Sequence, residues 1–131
     1  MKIVILGAGA VGCYLGGALA HSGMDVTLIG REHLLDDLAS VGQLTLTDYL
    51  GNAQSVSSAK VTTSASVLAE ADLIILTVKC LGVSAAAEQI KEFSQIATPV
   101  LSLQNGIGSE QPLISLSNPI VRGIVGFNVA P

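Results

Sequence analysis

Lys2-Ile3-Val4-Ile5-Leu6 runs without a break into Gly7-Ala8-Gly9-Ala10-Val11-Gly12, and a helical stretch from Cys13 to His21 follows. A buried strand, a Gly-x-Gly-x-x-Gly turn and a helix in that order give each glycine a separate mechanical task. Gly7 lets the chain turn sharply off the strand, and Gly9 has no Cβ to hold an anion away from the backbone. Gly12 lets the helix pack close to the sheet. The unbonded N–H groups of the helix start and the positive end of its dipole then favour a pyrophosphate. Residues Gly7, Ala8, Gly9, Ala10, Val11 and Gly12 are therefore the candidate dinucleotide-binding turn.

The end of the next strand decides which dinucleotide fits. Asp25-Val26-Thr27-Leu28-Ile29 ends at Gly30-Arg31, about twenty residues past the turn, where the adenosine ribose belongs. An acid at this place accepts hydrogen bonds from both ribose hydroxyls and repels a 2′-phosphate. A guanidinium instead pairs with the phosphate in a fork geometry. Glu32 is one residue further on, in the pattern of a first helical turn, where a carboxylate suits the dipole. The cofactor expected from these residues is NADP(H), with Arg31 reading the 2′-phosphate.

Composition limits the alternatives. A chain of 131 residues fits one domain, and charged residues make up only 12% against 50% hydrophobic. A sheet covered by helices on both faces accounts for part of that apolar excess. The remainder implies apolar surface that another body covers, and self-association into a homo-oligomer is one such cover. The net charge of −4 leaves no basic stripe for nucleic acid. Apolar stretches are strand-sized and interrupted, so no membrane span is expected. The first residues form a core strand and not a signal peptide, which places the protein in the cytoplasm. Cys13 and Cys80 have no metal or redox spacing and read as small buried hydrophobes; no metal site is expected.

The rest of the chain alternates between strand and helix. Gly16 and Gly17 weaken the first helix unless its backbone must approach a neighbour, either the sheet or a bound cofactor. His21-Ser22-Gly23 fits a glycine cap. A second helix is predicted from Glu32 to about Ser40, then a hairpin excursion from Gln43 through Gly51-Asn52. Strands follow at 61–63, 72–78 and 99–103, and helices at about 64–70, 83–93 and 109–116. A last strand over 120–129 is interrupted by Gly123 and Gly126. The fold class this order gives is α/β: a Rossmann-type, doubly wound, mainly parallel sheet with helices on both faces.

Ligands in such sheets bind beyond the carboxyl ends of the strands. Two further strand ends carry polar residues there: Thr77-Val78-Lys79-Cys80 and Leu103-Gln104-Asn105-Gly106-Ile107-Gly108. Lys79 fits either a contact to phosphate or carboxylate or a solvated surface lysine. Asn105-Gly106 taken alone is an ordinary turn signal.

Taken together, the glycine turn, Arg31, Thr77-Val78-Lys79, Gln104-Asn105-Gly106-Ile107-Gly108 and Gly123-Ile124-Val125-Gly126 resemble the N-terminal half of the ketopantoate reductase (2-dehydropantoate 2-reductase) family. The resemblance spans the chain in order. It implies that the turn holds the NADPH pyrophosphate, that Arg31 reads the 2′-phosphate, and that Lys79 contacts the cofactor. It also implies that Asn105 touches both the nicotinamide ribose and the substrate, with a backbone contact near Val129. The implied reaction is hydride transfer from NADPH to the 2-keto group of ketopantoate, giving pantoate, in pantothenate and coenzyme A biosynthesis.

Residues 1–131 then correspond to the dinucleotide-binding domain alone. In the family a second, helical domain supplies the lysine that protonates the substrate oxygen and most of the substrate contacts, and its absence would leave an interdomain face exposed. No catalytic acid is assigned within this chain, since His21 and His33 read as helix residues away from the strand ends. Two other readings share the fold. One is a nucleotide-sensing regulatory domain without catalysis; the other is a 3-hydroxyacyl-CoA or opine-type dehydrogenase that uses NAD. Arg31 in place of an acid, with the Lys79-Cys80 and Asn105-Gly106 signatures, argues against the first; the second differs in its usual cofactor.

Overall fold

The computed structural model describes residues 1–106 and 108–130, so Ile107 and Pro131 lie outside the described residues. Its regular elements are β1 (Lys2–Leu6), α1 (Ala10–His21), β2 (Asp25–Ile29), α2 (Glu32–Val41), β3 (Leu44–Thr47), β4 (Ala53–Val56), β5 (Lys60–Thr62), β6 (Leu73–Leu76), α3 (Val83–Phe93), β7 (Val100–Ser102) and β8 (Ile120–Arg122). Short 3-10 turns lie at Ala65–Glu70, Cys80–Gly82 and Gln111–Ser115. Six strands form one parallel sheet in the order β5-β2-β1-β6-β7-β8. The chain therefore winds outward from β1 in both directions, as in a Rossmann fold, and every carboxyl end meets one edge of the sheet.

Alternation along the strands builds two cores. Ile3, Ile5, Val26 and Leu28 are buried on the face that carries α1, while Val4, Leu6, Ile74, Leu76 and Val100 are buried on the face of α3. Burial on both faces is why β1 and β6 read as unbroken apolar runs. Gly16 and Gly17 have different neighbours. A Cβ at Gly16 would meet Leu28 of the sheet at 2.8 Å, and one at Gly17 would meet Leu46 of β3 at 3.0 Å. Close helix packing accounts for both glycines. α1 ends as expected: the Gly23 N–H donates to the Ala20 carbonyl and the Met24 N–H to that of Leu19, with Gly23 at φ +89°.

The segments predicted as helices near 64–70 and 109–116 are helical but of the 3-10 type, over Ala65–Glu70 and Gln111–Ser115, the second holding Pro112, which has no N–H to donate. The last strand stops at Arg122 instead of Val129. Its partner β7 ends at Ser102, and after the Gly123 N–H bonds the Ser102 carbonyl there is no further ladder to join. Beyond that point Ile124 and Phe127 are exposed, as is Val121 in β8, so part of the apolar excess is at the surface. Among the described residues no helix is long and apolar enough to cross a membrane.

β3 and β4 pair as an antiparallel hairpin outside the main sheet. Asp48 orders its tip: the carboxylate accepts the Leu50 N–H, the Asn52 N–H and the Asn52 side-chain amide at 2.8–2.9 Å. These donors, Asn52 first, hold the Asp48 carboxyl below its ordinary value of 3.8. A depressed carboxyl contributes order that is complete above its unfolded pKa and is lost as pH falls through the lower folded value. Below pH 3.8 the Leu50 and Asn52 amide shifts should therefore move together in an NMR titration, and Asp48→Asn should abolish the transition. Amide shifts that stay flat across that range in the wild type would mean that the carboxylate does not order the tip.

Candidate functional site

The glycine turn sits at the carboxyl end of β1, pinned between its two neighbouring strands. Gly7 adopts φ +115°, which glycine alone takes without strain, and a side chain there would strike the Val78 backbone nitrogen. The Gly7 and Ala8 N–H groups both donate to the Ile29 carbonyl at the end of β2, at 3.2 and 3.0 Å. On the other side, the Thr77 hydroxyl donates to the Gly7 carbonyl at 2.6 Å. Gly12 packs onto this same carbonyl: a Cβ there would fall inside contact distance of the Gly7 oxygen and 2.8 Å from Thr77 Oγ1. The third glycine thus serves the approach of α1 to the turn and to the end of β6.

Gly9 is different. It is exposed, and a Cβ built on it meets nothing within 4 Å. It occupies the N-cap of α1 with no side-chain cap bond. The first-turn N–H groups carried by Ala10, Val11 and Gly12 therefore face the open side of the turn, in the arrangement that binds anions.

Arg31 is exposed at the N-cap of α2, one residue past Gly30, whose N–H bonds the Thr62 carbonyl of β5. Glu32 lies in the first turn of α2, as its position implied. His33 corrects an expectation: two residues from Arg31, it stands at the carboxyl edge of β2 and not away from it. Lys79 is exposed just past β6 at the N-cap of the 3-10 turn Cys80–Gly82. Asn105 is exposed in the loop after β7. Among the described residues, none of the ion pairs involves Arg31 or Lys79.

The loops carrying Lys79 and Asn105 are bonded together. The Leu76 carbonyl accepts the Leu103 N–H at 3.0 Å and the Gln104 side-chain amide at 3.3 Å, and the Cys80 thiol reaches the Asn105 carbonyl at 3.6 Å. Cys80 is therefore not the small buried hydrophobe expected; it is exposed, because it begins a turn outside the sheet. Cys13 is half-buried with its Sγ toward the Ala8 carbonyl, and burial pushes its thiol pKa up. Val129 is half-buried in the irregular segment after β8, which is held near α1 by Phe127 on Tyr14, ring centres 5.5 Å apart.

The edge thus brings together the glycine turn, Lys79 and Asn105, with Arg31 on the β2 side. Thr77 and Gln104, which fasten the turn and the Asn105 loop, carry no sequence signal as anchors, since their partners are backbone carbonyls at the ends of other strands. Among the described residues no group of His, Cys, Asp or Glu could hold a metal. A cleft of about 470 Å³ lies between α2 and the β4–β5 segment, and no residue of the glycine turn lines it.

A parallel sheet wound both ways from a glycine turn, with a helix N-terminus open at the strand ends, defines a Rossmann-type α/β domain. Residues 3–130 match the family described as ketopantoate reductase PanE/ApbA, and the chain belongs to that family. It is 39% identical over 127 residues to the 2-dehydropantoate 2-reductase of Pyrococcus horikoshii, covering 95% of this chain and 39% of that protein. A crystal structure of a PanE/ApbA family ketopantoate reductase from Ralstonia eutropha JMP134 superposes with a TM-score of 0.84 at 34% identity, over 93% of this chain and 40% of that one. The ternary structure of D-mandelate dehydrogenase with NADH and anilino(oxo)acetate also matches, with a TM-score of 0.79 at 29% identity over 98% of this chain and 41% of that one. The chain spans about two fifths of the length of these relatives.

Space at the turn predicts opposite outcomes for two of its glycines. Gly12→Val must displace backbone as well as Thr77 and should cost at least about 2 kcal/mol. Gly9→Val enters open space at an ordinary φ of −83° and should change stability by under about 0.5 kcal/mol. Urea denaturation of both variants checks this, and equal losses would contradict the packing described.

Proposed function

We propose that this chain binds NADPH along the carboxyl edge of its sheet and forms the cofactor-binding part of a 2-keto acid reductase, acting on ketopantoate as its relatives' name describes. The residues fit that cofactor. Gly9 leaves the space a pyrophosphate needs, and the start of α1 offers backbone N–H donors to it. Bound NADPH supplies the hydride; the protein supplies position. Lys79 offers a cation beside the turn, and Asn105 offers a side-chain amide to the nicotinamide ribose and the substrate. The chain near Val129 closes the same edge through its backbone. D-mandelate dehydrogenase, a relative seen with NADH, makes the choice of cofactor a matter of particular residues and not of fold. The observation that carries NADPH is Arg31, exposed beside the turn where an NAD site places an acid.

A charge-assisted pair with a partly exposed phosphate contributes roughly 1.5–3 kcal/mol, so Arg31→Ala should weaken NADPH by about ten- to a hundred-fold and leave NADH nearly unchanged. Gly9→Val should remove binding of both. Fluorescence titration of each variant with each cofactor decides, and equal losses at Arg31→Ala would show that this arginine holds structure and does not read the phosphate.

The catalytic acid is assigned outside residues 1–131, in the part of the relatives that this chain does not span. A positioned acid contributes ~10²–10⁴-fold to such a step. This chain alone should therefore bind NADPH yet oxidise it negligibly with ketopantoate in a steady-state assay. Turnover within about tenfold of a full-length relative would place an acid among the residues described here.

A further inference from the structure

One ion pair at the carboxyl edge has no part in the site as assigned. Glu110 stands at the N-cap of the 3-10 turn Gln111–Ser115, and Arg122 is the last residue of β8; Nη1 of the arginine lies 3.1 Å from Oε1 of the glutamate. Their exposure is unequal, 61% for the Arg122 side chain and 25% for that of Glu110. The second carboxylate oxygen, Oε2, is buried without a hydrogen-bond partner among the described residues. Exposed pairs contribute little because water solvates both partners. In this pair one carboxylate oxygen is buried and the other meets the guanidinium, so the contact holds Glu110 in one place.

The place of the pair in the chain suggests its task. Past β7, Gln104 and Asn105 are tied to the end of β6 through the Leu76 carbonyl and the Cys80 thiol. Two bonds that follow among the described residues are internal to the loop: Ser109 Oγ donates to the Gly106 carbonyl at 2.9 Å, and the Gln111 N–H to that of Gly108 at 3.1 Å. Neither fixes the loop to the sheet. Glu110 does, through Arg122, and so places a second anchor five positions beyond Asn105. The adenosine side of the edge, built on Gly30-Arg31 and the glycine turn, has its own anchors in the Ile29 and Thr62 carbonyls.

We propose that the Glu110–Arg122 pair is a clasp that positions the Asn105 loop for the nicotinamide half of the cofactor, with no part in holding the adenosine half. The inference rests on the NADPH reading above. Both residues are positioning residues, acting through Asn105 and touching no ligand themselves.

The test compares NADPH with adenosine 2′,5′-bisphosphate, which carries the phosphate read by Arg31 but lacks the nicotinamide half. Isothermal titration of the full chain should show that Arg122→Met and Glu110→Gln each weaken NADPH by about five- to tenfold. The bisphosphate should stay within about twofold of wild type, and Arg122→Lys, which keeps the charge, should recover most of the NADPH affinity. Equal weakening of both ligands would reduce the pair to general stability and overturn the clasp, and so would unchanged NADPH affinity in both variants. Wild-type protein that binds neither ligand would overturn the cofactor reading itself, and the clasp with it.

Discussion

The carbonyl of Gly7 is the point on which the carboxyl edge depends. It accepts the Thr77 hydroxyl from the end of β6 and the Gly9 N–H from its own turn, and Gly12 of α1 packs against it. A part-buried carbonyl takes its bonds largely from the protein. Here they come from the two neighbours whose relative position makes the site, the end of β6 and the N-terminus of α1. The close approach needs a missing side chain at Gly12, and the direction of the carbonyl needs φ +115° at Gly7. Aiming the α1 dipole at the strand ends therefore follows from packing, before any ligand is considered.

Around that point the edge separates scaffold from contact residues. Loops at the ends of β1, β2, β6 and β7 are fastened to each other through backbone carbonyls: Gly7, Ile29, Leu76 and Asn105 each accept a bond from another segment. Carbonyl acceptors fix the backbone without using the side chains of Arg31 and Lys79, which make none of the ion pairs among the described residues. Rigid backbone with uncommitted polar side chains is the arrangement that binding requires, because a side chain ordered by internal bonds must first break them.

The surface follows the same logic less completely. The sheet buries its apolar residues under α1 on one face and α3 on the other, yet Val121, Ile124 and Phe127 remain exposed around β8. β8 is three residues long and lies at the end of the sheet. Shortness is one way that parallel edges avoid pairing with other chains. The mean hydropathy of +0.63 thus has two sources, a sheet buried on both sides and an apolar margin at this edge.

The sequence by itself determined the order of elements, the winding of the sheet and the residues placed at its strand ends. Those properties are local: a four-residue apolar run, three glycines at fixed spacing and an arginine after a strand act through short-range sterics and charge. Val83–Phe93 and Asp25–Ile29 form the elements their periodicity implied, residue for residue. Tertiary structure decided what depends on distant partners. The length of β8 is set by where β7 ends, and the exposure of Cys80 by a turn that leaves the sheet. The pairings of Thr77 with Gly7 and of Glu110 with Arg122 join residues 70 and 12 positions apart. No periodicity encodes such contacts, because which carbonyl or charge a side chain meets is fixed only when the strands take their order in the sheet.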